Sequence, residues 1–142
     1  MNLITTLVAR CARVAPNKMH VALPLLIMAV LYWLSSLPGV PLSGDPALYA
    51  VFYWISPTLQ NALHVPAYAA LAGAWCWALR AWLHGTTAVA MVAGGISVGY
   101  GVLDEWHQSF VPGRYASMTD VLLDALGVGL ALLALRQLRH AT

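Results

Sequence analysis

The sequence predicts an all-α integral membrane protein: a bundle of four transmembrane helices with both termini on the cytoplasmic side. Three observations carry this. First, 61% of the 142 residues are apolar and 8% are charged, whereas soluble domains carry about 25% charged residues. Second, the charges bracket long uncharged runs: 26 residues between Lys18 and Asp45, 34 between Asp45 and Arg80, and 23 between Arg80 and Asp104. Third, four crossings put Arg10, Arg13, Lys18, Arg80, Arg136 and Arg139 on one side and leave only Arg114 on the other, the asymmetry that marks the cytoplasmic face. A water-soluble globule, a disordered tail and a nucleic-acid binder are excluded by so few charges. The length suits one domain, residues 1–142.

Each element follows from local signals. Met1 to Ala15, interrupted by Arg10 and Arg13, reads as an amphipathic lead-in along the inner surface and not as a signal peptide. The first helix spans about 20–37, close to the roughly 20 apolar residues that cross the hydrocarbon layer. Pro38, Pro41 and Pro46 end it. Ala47 to Ile55, ALYAVFYWI, predicts a short interfacial aromatic segment between the first two helices. Ser56-Pro57 is an N-cap and first-turn pair opening a second helix over about 58–83, which Pro66 is expected to disturb. The third helix spans about 86–104 and the fourth about 118–138, with a tight turn at Pro112-Gly113 between them. Gly95 and Gly99, like Gly127 and Ala131, are four apart and predict close approach of these two helices. Trp33, Trp54, Trp106 and Tyr115 are expected in an outer belt, and Trp75, Trp77 and Trp82 in the inner half. Cys11 and Cys76 read as small apolar fillers in the cytoplasmic half, with no disulfide.

The polar residues gather. Four of the five acids, Asp104, Glu105, Asp120 and Asp124, fall within 21 positions, together with His107, Gln108 and Arg114. Topology brings the end of the third helix, the start of the fourth and the start of the second to one depth on the outward side, with Ser35 and Ser36 beside them. Asp104 and Gln108 are i,i+4, as are Asp120 and Asp124, and Gln60, His64 and Tyr68 form another stripe. Carboxylates at membrane depth are expensive and mark function. Asp124, about 7 Å inside its helix at 1.5 Å per residue, is expected to be protonated, paired or bound to a cation.

Several readings stay open for these residues. Asp104 and Glu105 can ligate a divalent cation, accept a proton or pair with Arg114, and Asp120 completes a metal set of Asp104, Glu105 and Asp120. Ser117-x-x-Asp120 also fits a capping-box variant, in which Asp120 serves only the helix start. Arg114 suits a lipid phosphate through two parallel hydrogen bonds, or neutralises the acids. His64 is a candidate acid/base or ligand, and His107 is expected to face elsewhere, at the interface. Catalysis is assigned to Glu105, Asp104 and His64; binding is assigned to Arg114, Gln108, Tyr68, Asp120, Asp124 and Ser36.

The stretch Tyr100-Gly-Val-Leu-Asp104-Glu105-Trp-His-Gln108-Ser-Phe-Val-Pro112-Gly113-Arg114, followed by Asp120, Asp124 and Gly127, closely resembles the signature of the VanZ-like family. Ser35-Ser36-Leu-Pro38 and His64-x-x-x-Tyr68 fit in order, so the resemblance covers roughly residues 25 to 130. It implies a bacterial multi-helix membrane protein. The family's namesake is associated with low-level teicoplanin resistance, and some relatives carry a phosphotransbutyrylase label. The chain departs from the pattern at Gln60 and Asn61, where relatives often have an Asp-Lys pair, and at Asp124, where Asn is also common.

Three functions follow as expectations. The first is a protein of the bacterial cytoplasmic membrane whose outward pocket binds or acts on an anionic envelope lipid or lipid-linked precursor, with a link to teicoplanin resistance. The second is a phosphoryl or acyl transferase using a divalent cation. The third is a structural or transporter subunit whose acids only lock helices, a transport path requiring an oligomer of so small a bundle.

Overall fold

The computed structural model describes residues 17–41, 43, 44 and 56–140, and among these all regular structure is helical. The expected lead-in over 1–15 and the aromatic segment Ala47–Ile55 lie outside the described residues. A 3-10 turn, Lys18–Val21, leads into α1 (Ala22–Ser35), followed by α2 (Pro57–Leu79), α3 (Thr86–Gln108) and α4 (Met118–His140). Four segments are long and apolar enough to cross a membrane: Lys18–Ser35, Thr58–Leu79, Thr86–Gln108 and Met118–Leu138.

Local chemistry sets the boundaries. Asn17 caps the 3-10 turn, its side chain accepting from the Met19 N–H at 2.9 Å. The turn adds about 8 Å to the 21 Å of α1, at about 2.0 and 1.5 Å per residue, so the short first helix still reaches across the layer. Ser56 caps α2 by accepting from the Leu59 N–H, with Pro57 in the first turn, and the helix continues through Pro66. α2 ends at Leu79, earlier than the expected residue 83. Residues 80–83 turn on bonds to the Ala78 and Leu79 carbonyls, and Gly85 takes a positive φ of 90° ahead of α3. In the other direction α3 runs beyond residue 104 to Gln108, which folds both carboxylates of the Asp104-Glu105 pair into its last turns.

α2 is the central helix. Its longest contact is with α4, and both pack on α3, while α1 lies against α2 and α3. The core joins Tyr68, Leu71, Ala72, Trp75 and Cys76 of α2 to Val89 and Ala93 of α3 and Val128 of α4. Trp75, expected in the inner half, is a core residue, because α2 turns this face toward its neighbours. Trp33, Trp106 and Tyr115 are exposed, as is Trp82, and Trp77 stacks on His20 at 3.8 Å. The expected glycine pair also moves. A Cβ on Gly95 or Gly99 meets nothing within 4 Å, whereas one on Gly127 collides with the Val65 backbone of α2 and one on Gly101 stands 2.6 Å from Asp124 Oδ2. The close approaches are thus α4 on α2 and α3 on the Asp124 side chain.

Up-and-down connectivity puts the end of α1, the start of α2, the end of α3 and the start of α4 at one end of the bundle, here the polar end. Arg114 lies there, while Lys18, Arg80 and Arg136 lie toward the opposite end.

Candidate functional site at the polar end

Two networks occupy the polar end. The first ties α1 to α3. Asp104 Oδ1 stands 2.6 Å from Ser35 Oγ, and Oδ2 accepts from Gln108 Nε2 at 3.1 Å. Ser35 Oγ also lies 3.1 Å from the Tyr32 carbonyl, and its single proton favours the nearer, charged acceptor. Gln108 Nε2 donates in addition to Glu105 Oε1 at 2.9 Å, and Gln108 Oε1 faces Arg114 Nη1 at 3.4 Å. Higher on α1, Tyr100 Oη donates to the Met28 carbonyl at 2.6 Å.

Arg114 finishes this network without forming an ion pair to any described carboxylate. Nε donates to the Leu37 carbonyl at 2.9 Å and Nη2 to the Leu34 carbonyl at 3.2 Å. Leu34 belongs to the last turn of α1 and Leu37 follows its C-cap, so the guanidinium ties the C-terminal turn of α1 to the α3–α4 loop. Burial draws Arg114 below its ordinary pKa, and the carboxylates of Asp104 and Glu105 oppose that. The loops position it: Gly113 has φ 74°, a conformation other residues rarely adopt, and the Gly39 N–H donates to the Pro112 carbonyl at 2.9 Å.

The second network ties α2, α3 and α4. His64 Nδ1 lies 2.8 Å from Asp124 Oδ1. An ionised Asp124 accepts from the Nδ1 proton, which leaves Nε2 as the ring nitrogen outside this pair. Glu105 Oε2 accepts from the Ser117 N–H at 2.7 Å. Ser117 Oγ accepts from the Asp120 N–H at 3.4 Å, which is one limb of the expected capping box. The return limb is supplied by Glu105 from α3, not by Asp120. The Asp120 carboxylate is thereby released from capping, and its Oδ1 is buried with no hydrogen-bond partner among the described residues. Asp124 Oδ2 and the Tyr68 hydroxyl share that condition.

Between the two networks lies a half-open cavity of about 230 Å³. Leu31, Leu34, Leu63 and Ala67 give it apolar walls; Ser35, Gln60, His64, Tyr68, Asp104, Gln108 and Arg114 give it polar ones. Of the residues expected at a site, His64, Tyr68, Asp104, Gln108 and Arg114 line this space. Glu105, Asp120 and Asp124 stand against His64 beyond it. Ser36 does not line it: its hydroxyl donates to the Tyr32 carbonyl at 2.6 Å and meets His107 Nε2 at 3.0 Å. His107 is correspondingly a partner of α1, with its ring 4.6 Å from that of Tyr32. Of the candidate metal ligands Asp104, Glu105 and Asp120, two stand close together with His64. His64, Glu105 and Asp120 offer ligand atoms all within 4.8 Å of one another, and Asp104 lies outside this group. Each oxygen of Glu105 accepts one hydrogen bond, from Gln108 and from Ser117, and keeps a second lone pair. Gly101 was not foreseen. A small residue one turn before the buried carboxylates is the signal that marks it.

Fold and site together define a multi-pass membrane protein, four helices with a buried acidic site and an adjoining cavity at one end. The VanZ/LLP1 family model matches residues 20–139, and the chain belongs to the VanZ-like family. No match was found among curated proteins or among solved structures.

Proposed function

We propose that the polar end faces outward from a bacterial cytoplasmic membrane and that its cavity engages the anionic headgroup of an envelope lipid or lipid-linked precursor. The observation that carries this reading is the Tyr68 hydroxyl. It belongs to a side chain only 1% exposed, lines the cavity and has no partner among the described residues. A buried polar group left without a hydrogen bond is costly, so it suits a ligand that completes it. The apolar walls match the start of a lipid chain, and the unpartnered Tyr68 hydroxyl, with the positive charge of Arg114 on the same cavity wall, matches an oxygen-rich anionic headgroup. Opposite charge asymmetry at the two ends supports the orientation, with both termini cytoplasmic.

Tyr68→Phe is the cleanest test, because it deletes an unpaired hydroxyl and leaves the packing intact. Purified protein should bind phosphatidylglycerol or a lipid-linked wall precursor in preference to phosphatidylcholine. Tyr68→Phe should weaken that binding several-fold without lowering thermal stability. Cells carrying the variant should lose whatever change in lipid-linked precursors or teicoplanin susceptibility the wild-type protein produces. Equal binding of anionic and zwitterionic lipids, or an unaltered Tyr68→Phe, rejects the reading. Orientation is read separately from labelling of Tyr115→Cys, at a position 87% exposed in the α3–α4 loop, by a reagent that does not cross the membrane.

A further inference from the structure

We infer that His64, Glu105 and Asp120 form a binding site for a divalent transition-metal ion of the Zn²⁺ or Mn²⁺ type. The three residues come from α2, α3 and α4 and place one imidazole nitrogen and two carboxylate oxygens within 4.8 Å of one another. Bonds of about 2.0–2.2 Å at a tetrahedral ion put ligand atoms roughly 3.4 Å apart, so closure draws each of two atoms inward by under about 1 Å.

Two further observations point to a ligand. Asp120 is 8% exposed, and its Oδ1 has no partner among the described residues. The carboxylate is held there by the helix start while Glu105, not Asp120, serves the Ser117 N–H. Second, His64 is oriented as a ligating histidine is: Nδ1 faces the carboxylate of Asp124 at 2.8 Å, the outer contact that fixes the ring and leaves the other nitrogen for the metal. Asp124 is itself seated by Gly101, where any Cβ would stand 2.6 Å from its Oδ2. An imidazole beside two carboxylates suits a first-row transition ion better than Mg²⁺ or Ca²⁺, which take all-oxygen sets. Three protein ligands leave a coordination position free for water or for a ligand oxygen.

The inference deepens the reading of the cavity, since His64 belongs to both the cavity wall and the ligand set, and it rests on that reading only for what the ion helps to hold. Glu105, Asp120 and Asp124 concentrate negative charge beside the space proposed for an anion. A divalent ion would convert that repulsion into attraction.

Tag-free protein, purified in detergent without added lipid and stripped with a chelator, is titrated with Zn²⁺, Mn²⁺ and Co²⁺. The expected result is one equivalent per chain, with visible Co²⁺ bands reporting nitrogen and oxygen ligation. Asp120→Asn and His64→Gln should each abolish stoichiometric binding, and Asp124→Asn, acting through His64, should weaken it by about 10–100-fold. Thermal unfolding of each variant shows whether it is folded. Folded wild-type protein that binds under a tenth of an equivalent overturns the site, as does stoichiometric binding that survives Asp120→Asn and His64→Gln together. Lipid is absent from this titration, so failure of the headgroup reading leaves its outcome unchanged, and failure of the metal site leaves the Tyr68→Phe result to stand alone.

Discussion

Asp104 and Asp120 are both buried carboxylates at the same end of one small bundle, yet their surroundings are opposite. Both oxygens of Asp104 are engaged, by Ser35 and Gln108, and its network closes on Arg114 and the C-terminus of α1. Asp120 lies one helix away with a bare buried oxygen, facing His64 and Glu105. A completed network stabilises the fold and has little capacity left for a ligand. An incomplete one lowers stability and is retained where something else binds. Of the two acids, therefore, Asp104 is tied into the fold through both oxygens, and Asp120 is the one with a buried oxygen left for the proposed ion.

The contrast breaks most sharply under truncation. Asp104→Ala removes two buried hydrogen bonds, leaving the Ser35 hydroxyl only the Tyr32 carbonyl and Gln108 Nε2 only Glu105. It should cost about 2–4 kcal/mol, the scale of two lost hydrogen bonds to a carboxylate, read as a lowered thermal midpoint in detergent. Asp120→Asn should leave stability within about 1 kcal/mol of wild type, because no hydrogen bond to its carboxylate is lost. Equal destabilisation by the two variants would erase the distinction.

Gly101→Ala sharpens it from the other side. The new methyl meets Asp124, not the Asp104 network, and overpacking of this kind costs about 1–3 kcal/mol. Ion affinity should fall with stability, since displacing Asp124 releases His64. A stability loss with unaltered Zn²⁺ or Co²⁺ titration would separate Asp124 from the ligand set. Arg114→Lys is smaller again: charge is kept, but one ammonium does not replicate the planar fork on the Leu34 and Leu37 carbonyls. A loss of about 1 kcal/mol, with faster amide exchange confined to the end of α1, is the expected result.

Much of this arrangement was legible in the residues before any coordinates. The uncharged runs between Lys18, Asp45, Arg80 and Asp104 gave the helices, because a bilayer demands long apolar segments and tolerates few exceptions. Ser56-Pro57 gave the start of α2 for an equally local reason. The gathering of Gln60, His64, Tyr68, Asp104, Gln108 and Arg114 followed from topology alone. What escaped was everything that depends on helix rotation. Ser35 and Ser36 are adjacent and alike, and only packing decides which one faces Asp104. Gly95 and Gly99 carry the spacing of a helix contact but face open space, while Gly101, without a spaced partner, makes room for Asp124. Nor could local spacing show that Glu105 would replace Asp120 in the capping box, since that exchange joins positions on two helices.

The adjacent serines supply the finest test. Ser35→Ala removes a donor to a buried charged acceptor, a bond worth about 1.5–3 kcal/mol. Ser36→Ala removes contacts to the Tyr32 carbonyl and to His107 Nε2. Because Ser36 Oγ spends its proton on that carbonyl, it accepts from the imidazole, which fixes the His107 proton on Nε2. The loss leaves a half-buried ring with lipid or water beside it and should cost only about 0.5–1 kcal/mol. Lipid binding should be untouched in Ser36→Ala and reduced in Ser35→Ala, a residue that lines the cavity and holds the cavity-lining Asp104. Side-by-side thermal melts and lipid titrations of the two variants check both differences. The opposite ranking would mean that α1 is rotated by one residue, about 100°, bringing Ser36 and not Ser35 to Asp104.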